Sequence, residues 1–428
     1  MRAWKAITVT AIGALLTACG PPQVQQDGPA EDESTGTLRV WLFDEATRGP
    51  KQTTVDEAVA RFEAEHQGVQ VDVQYIPVDT RSERFTGAFN DPASAPDVAE
   101  YGNTDVAGYV AAGGLADLTD QLGQWPEAAD LDESVLETAK VDGKVYGVPW
   151  YTGIRALYYR TDVFDELGLK PPRTTAELVD TAQRIREARP DLYGISVGGK
   201  YHYALMPFIW AAGGDIARQD GGTWKSTVDH PAAREGVATY SSLISGGACP
   251  REQCADMTGS QAVQAFASGK AAMTIGGDFN RAAVEAGAAG GKYAVVPLPG
   301  KTDGSIAPAF AGGNMLGVLK SSKRATLAKE FVQLLAGKEY QRKMYDAMGN
   351  LPTFTDVQQE LAAGDPAVAP FVQTLQAGTR FVPTTDGWSK IDAQGVLPTM
   401  VQQVITGTSV EEATSGAAEQ MNSAFEGR

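Results

Sequence analysis

Apolar residues recur at every second position in two early stretches of the chain. Leu38, Val40 and Leu42 share one side of 37–43, while Val69, Val71, Val73 and Tyr75 alternate with Gln70, Asp72 and Gln74. A period of two marks a strand with one buried face. Between these stretches Val55, Val59 and Phe62 recur at helical spacing, which predicts a helix over 53–65. A second helix carries Phe85 and Phe89, and a short strand over 97–101 runs into Gly102-Asn103-Thr104. Strands alternating with helices predict an α/β fold, a parallel sheet covered on both faces.

The pattern changes near Lys144. Residues 145–160, VYGVPWYTGIRALYYR, are aromatic and extended in character, and long enough to cross between two lobes. Beyond them, Thr174-x-x-Glu177 reads as a capping box before a helix with Leu178, Ala182 and Ile185 in register. Val263 and Phe266 mark another helix, ended by Gly269, and a strand over 271–275 leads into Gly276-Gly277-Asp278-Phe279. Leu327, Phe331 and Leu334 mark a late helix stopped at Gly337. The chain shows no internal repeat.

Its beginning is of a different kind. Arg2 and Lys5 precede an uncharged run over 6–18. That run is shorter than the roughly 20 apolar residues a membrane-spanning helix needs, and fits a signal peptide over 1–18. It closes with Leu16-Thr17-Ala18-Cys19, which resembles the lipobox of bacterial lipoproteins, where the cysteine carries the lipid. Residues 20–36 are polar and rich in Gly, Pro and acid, so 19–36 is expected to be a lipid-anchored linker reaching at most roughly 60 Å.

Composition narrows the chemistry. The 428 residues carry a formal charge of −17, and an acidic surface repels phosphate backbones, so a nucleic-acid partner is excluded. With three His and three Cys, a His/Cys metal centre is not expected, and no cofactor is called for. Cys249 and Cys254, in CPREQC, are expected to form a disulfide outside the cell, worth about 2 kcal/mol for so short a loop.

A set of ordered motifs goes further. They are Pro96-Asp97-Val98, then Gly147-Val148-Pro149-Trp150 leading to Tyr158-Tyr159, then Trp210-Ala211-Ala212-Gly213-Gly214-Asp215 and 266–273 (FASGKAAM), then Gly312-Gly313-Asn314 and 328–331 (AKEF). Together they resemble the carbohydrate-specific extracellular solute-binding proteins, the receptor subunits of bacterial ATP-binding-cassette importers, and more narrowly binders of maltose- or chitobiose-type oligosaccharides. The resemblance implies a two-lobe fold joined by a hinge, with 37–150 and 319–352 in one lobe and 151–318 and 353–428 in the other. It implies a non-catalytic, monomeric receptor tethered at the outer face of the cytoplasmic membrane. Its partners would be a sugar, a permease and a separate ATPase.

A sugar presents hydroxyls and flat C–H faces, so its site needs hydrogen-bonding side chains and aromatic rings. In open α/β sheets such groups gather at the carboxyl ends of strands. Candidates at those places are Asp44 and Glu45, Asn103 and Thr104, Trp150 and Tyr151, Tyr201 and Tyr203, Asp278 and Phe279, Gly313 and Asn314, and Trp388. Phe279 stands where related receptors often place Trp. Tyr201, His202 and Tyr203 are read as alternating on a strand, which favours the two tyrosines over the histidine. Trp388, flanked by Gly387 and polar residues, is expected to face the ligand.

One rival reading belongs to another class. Gly194-Ile195-Ser196-Val197-Gly198 matches G-x-S-x-G, so a lipid-anchored serine esterase is the alternative. That elbow needs a strand, a sharp turn and a helix, and the helix is not evident after Gly198. Gly300-Lys301-Thr302 echoes a phosphate-binding loop, but Val295 stands where its first glycine is required.

Overall fold

The computed structural model describes residues 32–44 and 48–427, so the signal segment, Cys19 and Glu45 lie outside the described residues. The strand Gly36–Asp44 pairs in parallel with Val69–Pro77 on one side and Val98–Gly102 on the other. Its alternating Leu38, Val40 and Leu42 are fully buried. Val69–Pro77 is the edge strand, so Val71 and Val73 are only half-buried. The helix Arg48–Glu65 brings Val55, Ala58 and Phe62 into the same core. Each large side chain so buried contributes about 1.5–3 kcal/mol.

Two strands from distant parts of the chain complete this sheet. Gly312–Val318 runs antiparallel to both Val98–Gly102 and Val148–Gly153. The strand 312–318 was allotted to the second lobe by the sequence and lies instead in the sheet of the first. Phe354, Leu361 and Phe371 also pack in the first core, although 353–428 was assigned to the second. Pairing between residues two hundred apart leaves no local periodicity to read.

The extended stretch 145–160 becomes two strands in two sheets. Val148–Gly153 closes the first sheet, and Arg155–Arg160 is the middle strand of the second, antiparallel to Met273–Gly277 and Tyr293–Val296. Ile154, fully buried, is the joint between them. The second lobe then packs the helices Thr175–Ala188, His202–Ala211, Pro231–Ser245, Asp386–Ala393, Val396–Thr406 and Val410–Phe425 around one core.

Half of the expected capping box forms: Glu177 N–H donates to Thr174 Oγ1 at 3.0 Å, an interaction worth about 1 kcal/mol, while the Glu177 carboxylate accepts the Arg173 N–H instead of that of Thr174. A full capping box at Thr258 and Gln261 starts the helix Gly259–Ala267. Residues 202–211 form a helix where the sequence was read as strand, with Tyr201 just before its first turn. Cys249 and Cys254 are joined by a disulfide. Among the described residues no helix is long and apolar enough to cross a membrane.

Candidate functional site

Between the lobes lies a cavity of about 360 Å³ whose walls come from both sheets. The first lobe supplies strand ends. Phe43 is next to last on the first strand, Asn103 and Thr104 follow Val98–Gly102, Tyr151 sits on the crossing strand, and Gly313 and Asn314 lie near the start of Gly312–Val318. The second lobe supplies Arg155, Tyr203 and Phe279. Phe310, on the short strand Ala309–Phe310, stands 4.8 Å from Tyr203, ring centre to ring centre.

The polar floor is organised by one buried carboxylate. Glu100, fully buried, accepts from Tyr151 Oη and from Asn314 Nδ2 through Oε1, both at 2.6 Å. Its other oxygen accepts the Phe43 N–H at 2.7 Å and Lys51 Nζ at 2.9 Å. Asn314 Nδ2 also lies 2.6 Å from Tyr151 Oη. Two cleft side chains are thus held by a group that does not itself line the cleft. Asn103 is tied down in a similar way, since its Nδ2 donates to the Ala311 carbonyl at 2.6 Å and to Thr138 Oγ1 at 3.1 Å. Its amide oxygen is the remaining acceptor of that side chain.

Arg155 forms the aromatic wall of the other lobe. Its Nε donates to Tyr201 Oη at 3.0 Å, and the guanidinium carbon lies 5.0 Å from the centre of the Tyr203 ring, 5.6 Å from Tyr201 and 5.8 Å from Phe279. A guanidinium this close to three ring centres makes cation–π contacts. Burial pushes the Tyr203 phenol well above its ordinary pKa, so it stays a protonated donor. Arg81, also on the wall, pairs with Asp105 at 3.0 Å.

Seven of the sequence candidates therefore meet at the cavity: Asn103, Thr104, Tyr151, Tyr203, Phe279, Gly313 and Asn314. The other described candidates do not line it. Asp44 is exposed and faces Arg48 at 3.6 Å. Trp150 is fully buried, because neighbouring strand residues point to opposite faces and Tyr151 takes the cleft side. Tyr201 is buried behind Arg155 and donates to the Ile275 carbonyl at 3.2 Å.

Asp278 is buried at the joint of the lobes, where its two oxygens accept the N–H groups of Ile154 and Leu351. Burial pushes its carboxyl up to about 7, against the pull of those donors. Trp388, expected to face a ligand, is 1% exposed in the helix Asp386–Ala393. Gly387 there is part of a helical first turn, and Trp388 with Ile391 forms an apolar stripe at i, i+3. That helix packs against Val106–Ala111 of the first lobe, so the lobes also meet away from the joint.

Arg155, Phe310, Phe43, Arg81 and Asn350 line the cavity without having been singled out. Arg155 left a signal, as the one charge amid the apolar run Ile154-Ala156-Leu157. The serine of the esterase alternative is fully buried and donates to the Ala262 carbonyl at 2.7 Å. A Cβ at Gly194 would stand 1.8 Å from the Ala182 carbonyl oxygen, and one at Gly198 1.9 Å from that of Met257. The two glycines of G-x-S-x-G therefore allow close backbone packing, and no nucleophile is presented.

Comparison with known proteins agrees with this geometry. Residues 46–342 match the family described as bacterial extracellular solute-binding protein. The chain is 28% identical to a diacetylchitobiose-binding protein of Streptomyces coelicolor, over 99% of this chain and 97% of that one. It is 27% identical to a galactooligosaccharide-binding protein of Bacillus subtilis, over 84% and 80% of the two chains. Among solved structures, a solute-binding protein of Thermotoga lettingae bound with α-D-tagatose superposes with a TM-score of 0.78 at 26% identity, covering 91% of this chain and 100% of that one. The sugar-binding protein of Xanthomonas citri shares the fold, with a TM-score of 0.79 at 24% identity over 92% and 98%.

Proposed function

Because the chain belongs to the bacterial extracellular solute-binding proteins, it is a transport receptor and not an enzyme, and we propose that its cleft captures a short oligosaccharide for the permease of an ABC importer. The observation that carries the ligand class is Phe279. It is 41% exposed, the one large apolar side chain left open among the described residues, and it faces the cavity beside Arg155. An exposed ring in a concave site calls for an apolar face to cover it, and the flat C–H face of a sugar does so. The amide and hydroxyl groups of Asn103, Thr104, Tyr151 and Asn314 then serve the hydroxyls. A cavity of about 360 Å³ is at the small end of ligand sites, which suits a di- or trisaccharide.

The test is a thermal-shift screen with diacetylchitobiose, lactose, maltose and their monosaccharides. A bound sugar at a hundred times its Kd is expected to add about 2.7 kcal/mol to stability. No shift with any of these sugars, confirmed by calorimetry, defeats the reading. Ester substrates are expected to remain unhydrolysed.

Membership of an extracellular family places the protein outside the cytoplasm. The finer proposal is a lipid tether at Cys19, motivated by Leu16-Thr17-Ala18-Cys19. Cys19→Ala is expected to move the protein from the membrane fraction to the soluble fraction. Full retention in the membrane fraction would mean another attachment.

A further inference from the structure

Asp278 sits where three separate segments meet. Ile154 N–H donates to its Oδ1 at 2.8 Å, and Leu351 N–H to its Oδ2 at 2.9 Å. Its own N–H donates to the Ile154 carbonyl at 3.1 Å. Ile154 is the joint between the strands of the two sheets. Leu351 belongs to a second segment beside it, its carbonyl accepting the Thr152 N–H at 2.9 Å. One carboxylate thus grips both segments, and both of its oxygens act as acceptors.

The residue that follows is Phe279, and its ring is seated on the same joint. A Cβ at Gly277 would stand 2.2 Å from the ring, and one at Gly153 would stand 3.2 Å from it. The ring lies over backbone that only glycine leaves open. The turn carrying it is closed by the Gly277 N–H donating to Asn280 Oδ1 at 2.8 Å, and by Tyr158 Oη donating to the Gly277 carbonyl at 2.7 Å. An exposed ring is therefore mounted on a rigid turn whose adjacent side chain holds the hinge.

We propose that Asp278 is a positioning residue that fixes the Phe279 platform to the hinge, so that a sugar stacking on the ring favours the closed arrangement of the lobes. This rests on the receptor reading above. Asp278 makes no contact with the ligand in this account, and acts through Phe279. Asparagine fits its space but not its role. A carboxamide offers one acceptor oxygen, and its NH₂ would meet one of the two N–H donors head on. A bond is lost and a buried donor is left facing a donor.

The experiment is a double-mutant cycle by calorimetry, using the tightest binder among diacetylchitobiose, lactose and maltose. Phe279→Ala alone is expected to weaken binding at least about tenfold, and Asp278→Asn alone about fivefold. In the Phe279→Ala background, Asp278→Asn is expected to change affinity less than about twofold. Equal losses in both backgrounds would make Asp278 merely structural and overturn the proposal. Hydrogen exchange gives a readout without ligand, with the Ile154 and Leu351 amides exchanging at least about tenfold faster in Asp278→Asn. Unchanged exchange also overturns it. Should Asp278→Asn not fold, the coupling is read in Phe279→Ala: ligand must slow these two amides in the parent protein and not in the variant. If no sugar of the three binds the parent protein, the short-oligosaccharide reading itself fails. Binding with additive losses defeats only the hinge inference.

Discussion

Trp388→Ala is expected to cost about 3–5 kcal/mol of stability while leaving sugar affinity nearly unchanged. The indole is 1% exposed and shares the second core with Ile391, Val396, Leu397 and Met421. Its removal leaves a cavity the size of a bicyclic ring, and the helices Asp386–Ala393 and Val410–Phe425 that pack together there cannot both collapse into it. The indole N–H has no hydrogen-bond partner among the described residues, so no hydrogen bond is lost with the ring and the cost is that of the cavity. Denaturant unfolding of the unliganded variant, set beside calorimetry, checks this. An unmoved unfolding midpoint together with a tenfold loss of affinity would return Trp388 to the binding site.

The error over Trp388 shows which parts of this protein were legible. Asp386-Gly387-Trp388 looks like a turn because Gly and Asp favour turns, yet both also suit the first turn of a helix. The decisive signal was Ile391, three residues on. The strands 36–44 and 69–77 were readable because each buries one face against its neighbours, and burial on one face writes a period of two into the chain. The strand Gly312–Val318 was not, because its Gly-Gly-Asn start serves the cleft and its pairing is long-range. Cavity-lining residues just after strands, such as Asn103, Thr104 and Phe279, were legible because topology puts strand ends at the cleft. Glu100 escaped notice for the opposite reason. It is a charge inside a hydrophobic strand, and its partners, Lys51, Tyr151 and Asn314, lie 49, 51 and 214 residues away.

Glu100 carries the other large expected effect. Glu100→Leu removes at one stroke the acceptor of the Phe43 N–H, of Lys51 Nζ, of Tyr151 Oη and of Asn314 Nδ2. Breaking a fully buried ion pair from one side typically costs about 3–5 kcal/mol. The variant is expected to lose that much stability and also to bind sugar at least about tenfold more weakly, since two cleft side chains lose their common anchor. The two losses have different origins and separate in a second variant. Joining Lys51→Met to Glu100→Leu replaces the pair by apolar groups of similar volume, a change that is often neutral for stability. The part of the loss that comes from the broken ion pair should then return, while the Phe43 N–H, Tyr151 and Asn314 still lack their acceptor and affinity stays low. Recovery of both together would show that Glu100 serves the site only by keeping the first lobe folded. Recovery of stability alone assigns the carboxylate the work of aiming the polar floor of the cleft at the ligand.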